Sequence, residues 1–225
     1  MPEVEDLVEI PEEIKEVTQE EAEQNPELLG DEVVAKEGAL DEEHPDPEGF
    51  GEQELKADEE LILGEGEDDE AGGAAPGPSR HQLNALTLAV SQKGVREEPP
   101  GSNNNKYSRY FGFGPQFWCA DFVAFCVDRT GNKDKKVPWG YPSAVVNITA
   151  WGKKKGEIHS QPRKGDIFTR KDGMHTGFVL SAQGSKFMTI EGNTSGPQGD
   201  IYVASHSRDA SSGMYFFVRD TFAGA

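Results

Sequence analysis

All three tryptophans, all five tyrosines, both cysteines and eleven of the twelve phenylalanines of this chain lie after residue 80, and that asymmetry limits what can fold. Residues 1–80 carry 29 Asp and Glu against 4 Lys and Arg, a balance of −25; residues 81–225 carry 12 against 18, a balance of +6. The first part has one large aromatic, Phe50, and cannot bury enough apolar area to offset the entropy of ordering its backbone. The second part is long and aromatic enough for one ordinary core. The expected organisation is an acidic, mostly disordered region over 1–63, a Gly/Ala/Pro linker over 64–78 and one folded domain over 79–222.

Several classes are excluded at this level. Two cysteines make neither a disulfide framework nor a four-thiolate zinc site. The residues from Met1 to Ile10 are acidic and lack both a basic start and an apolar run, so no secretory signal is expected there. No apolar stretch approaches the roughly 20 residues that span a bilayer. The acidic region argues against nucleic acid as a partner, because its charge repels phosphates. It suits a basic protein instead, or a purely solvating role.

Hydrophobic spacing then orders the elements. Thr18 with Glu21 resembles a capping box for a short helix running towards Leu29. Ser79 with Gln82 forms a second, and Leu83, Leu86 and Val90 follow at helical spacing before Gly94. Val95 to Asn105, with Pro99-Pro100-Gly101, reads as a loop. Trp118 to Arg129 places Ala120, Val123, Ala124 and Val127 on one face of a buried helix that Gly131 stops, and a further helix is expected within Ser143 to Trp151. The period then changes to two: Asp166–Thr169, His175–Ser181, Phe187–Glu191, Ile201–Ala204 and Tyr215–Arg219 read as strands, with turns at Gly184 and over 192–199. Helices followed by an antiparallel sheet make the fold class α+β.

Three blocks can carry chemistry. Cys119 falls in the first turn of the central helix, where a thiolate is favoured, and follows Gly112-Phe113-Gly114-Pro115, a loop that lets substrate and backbone approach the sulfur. A cysteine beside aromatics on an amphipathic helix is as readily a core residue, so this block alone leaves both readings open. His175 follows the Gly173 turn at a strand start, a position that suits either a base reaching the helix or a satisfied core residue. Glu191, with Asn193 beyond Gly192, ends the strand paired with that of His175. From there a carboxylate can orient the ring; the plainer alternative is an exposed Glu and a turn Asn. Cys126 reads as core, and His44, His81, His159 and His206 show no ligand spacing, so no metal and no cofactor is expected.

Taken in order, Gly94-Val95-Arg96-Glu97, Ser102-Asn103-Asn104, Tyr107, Trp118-Cys119-Ala120-Asp121-Phe122-Val123, Gly165-Asp166-Ile167, His175-Thr176-Gly177-Phe178-Val179 and Glu191-Gly192-Asn193 resemble the CHAP family over residues 80–220. These are cysteine, histidine-dependent amidohydrolases and peptidases of papain-like fold, which mostly cleave peptidoglycan. The resemblance implies Cys119 as nucleophile, His175 as base, Glu191 as its orienting group and Asn193 as a further polar partner. The Cys119 backbone N–H is then an oxyanion donor, with the Gln116 side chain as a candidate second one. Some relatives bind calcium just before the cysteine; Asn103 to Trp118 has no Asp or Glu, so no calcium is expected here. Gln116, Trp118, Trp139 and Tyr141 are the expected substrate-binding residues, with core packing the alternative for the aromatics. Lys153-Lys154-Lys155 adds positive charge suited to an anionic wall. The expected activity is that of an amidase or endopeptidase acting through a thioester, borne by a bacterial or phage hydrolase, with a phage lysin or a virion component as the form that the missing signal suits. The alternative is a non-catalytic structural or wall-binding module.

Overall fold

A computed structural model describes residues 77–131, 133–195 and 200–219. The acidic region, the capping box at Thr18 and most of the linker lie outside the described residues, as does the chain beyond Arg219. Helices α1 (Arg80–Val90), α2 (Lys106–Phe111), α3 (Cys119–Thr130) and α4 (Val145–Lys155) precede strands β1 (Ile158–His159), β2 (Ile167–Arg170), β3 (Thr176–Gln183), β4 (Lys186–Ser195), β5 (Ile201–Asp209) and β6 (Tyr215–Val218). The strands form one antiparallel sheet in the order β1-β6-β2-β3-β4-β5, so the fold is α+β.

Local chemistry explains where the helices begin. Ser79 Oγ accepts from the Gln82 N–H, and Gln82 Oε1 accepts from the Ser79 N–H at 2.8 Å, a complete capping box for α1. The buried face of α1 is Gln82, Ala85, Leu86, Ala89 and Val90, so Leu83 lies at the margin rather than in the core. Asn105 caps α2 by accepting from the N–H groups of Tyr107 and Ser108. This short helix was not legible in the sequence, because six residues show too little periodicity.

The core lies between the helices and one face of the sheet. Helix α3 is buried almost all round: Ala120, Phe122, Val123, Ala124, Cys126 and Val127 each expose 3 % or less. It packs on α1 on one side and on β3 and β4 on the other, where the rings of Phe122 and Phe178 meet edge-on. Gly192 on β4 permits this approach. A Cβ there would lie 2.5 Å from Phe122 Cβ and 2.8 Å from the Trp118 ring. The other sheet face buries Phe168, Val179, Phe187 and Phe217.

Two strands run further than the spacing indicates. β5 continues past Ala204 to Asp209, and β4 continues through Gly192 to Ser195 where a turn was expected. A register shift between Glu191 and Thr194, with Asn193 left-handed at φ 57°, absorbs the irregular residues without ending the pairing.

Candidate functional site

Cys119 is the first residue of α3, and Trp118 at the cap position offers no side-chain hydrogen bond to the helix. The positive end of the helix dipole therefore faces the region of the sulfur. Trp118 itself is wholly buried: it stacks on Tyr107 with ring centroids 5.2 Å apart and donates from Nε1 to Glu97 Oε1 at 2.9 Å. The second Glu97 oxygen accepts from the Asn103 N–H at 3.0 Å. The loop that precedes α2 is thus tied to the residue before Cys119.

His175 comes to the sulfur from the start of β3. The Cys119 Sγ lies 4.0 Å from the Met174 carbonyl oxygen, close enough to the His175 ring for the thiol to act on its protonation. The ring's Nε2 lies 2.7 Å from Glu191 Oε2. Gly177 makes room for that contact, since a Cβ at 177 would sit 2.9 Å from both Glu191 Cγ and the Phe168 ring. Burial works against a charged imidazole, but the hydrogen bonds to Cys119 and Glu191 and the charges of both outweigh it, so the His175 pKa is raised to about 9.

Glu191 is fully buried and has four donors around it. Besides His175, Arg208 donates from Nε to Oε1 at 2.5 Å and from Nη2 to Oε2 at 2.6 Å, and Thr189 Oγ1 donates to Oε1. Burial alone would raise this carboxyl, yet the Arg208 guanidinium and the hydrogen bonds hold it well below the usual carboxylate range. Arg208 was not singled out in the sequence. Extending the alternation of β5 four residues beyond Ala204, the partner of Glu191, was the available signal.

The remaining expected residues divide. Asn193 is buried, 1 % exposed, and its Nδ2 has no hydrogen-bond partner among the described residues. Gln116 Nε2 donates to Asp121 Oδ2 at 2.9 Å and to Ser143 Oγ at 2.7 Å, which engages both of its amide hydrogens. Asp121 also accepts from Ser108 and Ser143, and this buried network joins the loop before Cys119 to the segment leading into α4. Trp118 and Trp139, expected to touch substrate, are corrected to core residues: they expose 0 % and 3 %, and Trp139 packs on Trp151. Their size is matched by the space between helices, so no ring face is left for a ligand. Tyr141 is also largely buried, against Phe113, Val146 and Ala144; the half-buried Phe113 and Val146 are the more accessible side chains there. Val145, at the start of α4, packs on Cys119 and Ala120, which places this small cluster beside the thiol. Cys126 is in the core, where burial pushes its thiol well up.

Among the described residues, no helix is long and apolar enough to cross a membrane. The family model for the CHAP domain matches residues 109–193, which include Cys119, His175, Glu191 and Asn193. No curated protein and no solved structure matches the chain.

Proposed function

Proceeding from the CHAP domain of residues 109–193, which supports a hydrolase of the peptidase or amidase type acting on the cell wall, we propose that this chain cleaves amide bonds in peptidoglycan through a thioester on Cys119. The observation that carries the reading is the buried chain of contacts from thiol to imidazole to carboxylate. With Nε2 directed at an anionic carboxylate, which only accepts, that nitrogen carries a proton, and Nδ1 is left to face the thiol. His175 takes the Cys119 proton through Nδ1, and the imidazolium so formed is the state that its raised pKa favours at neutral pH; the thiolate of that pair attacks the scissile carbonyl. The oxyanion forms at the N-terminus of α3, within reach of the Cys119 backbone N–H. The imidazolium returns its proton to the leaving amine as the C–N bond breaks, and water then hydrolyses the thioester, with His175 again as base. Glu191 orients the ring and stabilises its cation. The +6 balance of residues 81–225 favours an anionic polymer as substrate.

The test is mass spectrometry of fragments released from purified wall by the wild type and by Cys119→Ala. A freed lactyl group identifies an amidase and a freed peptide amine an endopeptidase, with nothing released by the variant. A new sugar reducing end, or release that survives Cys119→Ala, overturns the reading.

A further inference from the structure

The catalytic reading accounts for Cys119, His175 and Glu191, but leaves a buried arginine at the far end of the same chain of contacts. Arg208 projects from β5 opposite Phe187 of β4, and only 13 % of its side chain is exposed. Its guanidinium lies over the Phe168 ring, with Cζ 5.6 Å from the ring centroid, and Tyr215 of β6 is a further partner. Phe168 is also beneath His175, with ring centroids 6.1 Å apart, so one aromatic floor supports the imidazole and the guanidinium. Between them, Glu191 accepts from both.

Resting on that catalytic reading, we propose that Arg208 is a positioning residue: its two-point clamp on Glu191 keeps the carboxylate anionic and fixed in plane, and so holds the proton of the neutral His175 ring on Nε2, leaving Nδ1 bare to accept from Cys119. The physical need is specific. A fully buried carboxyl without a cation takes up a proton in preference to remaining charged. Once protonated, it can donate as well as accept, and the imidazole is then free to present either tautomer to the thiol. Arg208 removes that ambiguity, because a fork bonding both oxygens leaves Glu191 with acceptor capacity alone and with no freedom to rotate. A lysine in its place supplies charge at one point but not the fork.

Other groups around Glu191 do not duplicate this role. His175 faces it from the start of β3, Thr189 from its own strand, and His206 acts on it electrostatically from β5 while Thr194 Oγ1 lies 2.9 Å from His206 Nε2. Tyr215 stands behind Arg208, and Cys119 of α3 behind His175. Asp121 of α3 is engaged instead with Ser108, Gln116 and Ser143. Thr189 is neutral, and His206 is charged only when protonated. Arg208 is the permanent cation that both carboxylate oxygens touch.

The experiment compares full-length wild type, Arg208→Met and Arg208→Lys, following the Glu191 carboxyl by carbon-13 NMR, the His175 ring by nitrogen-15 NMR, and kcat and KM across pH on soluble wall fragments. In the wild type, the His175 ring is expected to titrate near pH 9 and the Glu191 carboxyl to remain ionised throughout the ordinary carboxylate range. In Arg208→Met, the carboxyl begins to titrate within that range or above it, and the acid limb of kcat moves up with it. Arg208→Lys keeps Glu191 ionised yet lowers kcat by about 10- to 100-fold, the range that losing the carboxylate partner of a metal-binding histidine gives, with KM little changed. If His175 and Cys119 are uncoupled in the wild type, the catalytic reading itself is wrong. If the wild type behaves as expected but either folded variant turns over within twofold of it with an unmoved acid limb, the role of Arg208 is overturned. Should Arg208→Met not fold, Arg208→Lys decides by the same criterion.

Discussion

Replacing Glu191 by Gln changes one atom in a site where four donors converge, and its cost can be worked from the contacts. The carboxylate accepts from His175, from two Arg208 nitrogens and from Thr189, and none of it is exposed. A glutamine amide must direct two N–H groups at some of those donors, and it leaves Arg208 as a buried cation without its anion. Breaking a buried ion pair from one side costs about 3–5 kcal/mol, whereas removing both partners is often close to neutral. For a domain of this size the single change corresponds to a fall in Tm of roughly 10 °C. Arg208→Met is expected to cost a similar amount, since it strands the anion. The double variant, in which the glutamine can rotate and the cation is gone, is then expected to recover about 2 kcal/mol relative to the sum of the singles, as contacting residues do. Urea unfolding at pH 7 of the four proteins, with m-values compared to confirm a common denatured state, measures this coupling. Costs that add within about 0.5 kcal/mol, or a Glu191→Gln loss below about 1 kcal/mol, would falsify the view that the two groups are energetically one unit.

Other expected outcomes follow from the same contacts. Because the His175 pKa is raised to about 9 in the folded state, the stability this residue contributes is fully present below its ordinary value near 6.5 and lost as pH rises through about 9. The difference in urea midpoint between wild type and His175→Ala should therefore shrink over that window, and an unchanged difference from pH 6 to 10 contradicts the raised value. Glu191 has the opposite sign: its contribution is present above the ordinary carboxylate pKa and is lost only as pH falls through its depressed folded value. Gly192→Ala places a Cβ 2.5 Å from Phe122 Cβ and should cost about 1–3 kcal/mol by forcing α3 off the sheet; wild-type stability in denaturant would refute that packing. A chain beginning at residue 77 is expected to fold and to hydrolyse soluble fragments, because the described core and every proposed catalytic side chain follow that point. Circular dichroism and the fragment assay check it, and loss of either shows that the acidic region is part of the domain.

The sequence by itself was enough for what depends on local chemistry and short-range periodicity. The capping box at Ser79 and Gln82 and the glycine turn at Gly184 are each specified by residues within a few positions of one another, and the central helix by the spacing of Ala120, Val123, Ala124 and Val127. The ordered blocks around Cys119, His175 and Glu191 likewise carried the resemblance that the family match shares. Tertiary structure decided what depends on which side chains meet across distant segments. Trp118 and Trp139 look alike in the sequence whether they face a ligand or a neighbouring helix, and only packing shows that they are core. Gln116 looks like a free donor until Asp121 and Ser143 are seen to take both of its amide hydrogens. Arg208 shows least of all in the sequence, because a lone arginine on a strand is ordinarily a solvated surface charge. It becomes part of the site only when the β4–β5 pairing brings its guanidinium to a carboxylate that burial would otherwise discharge.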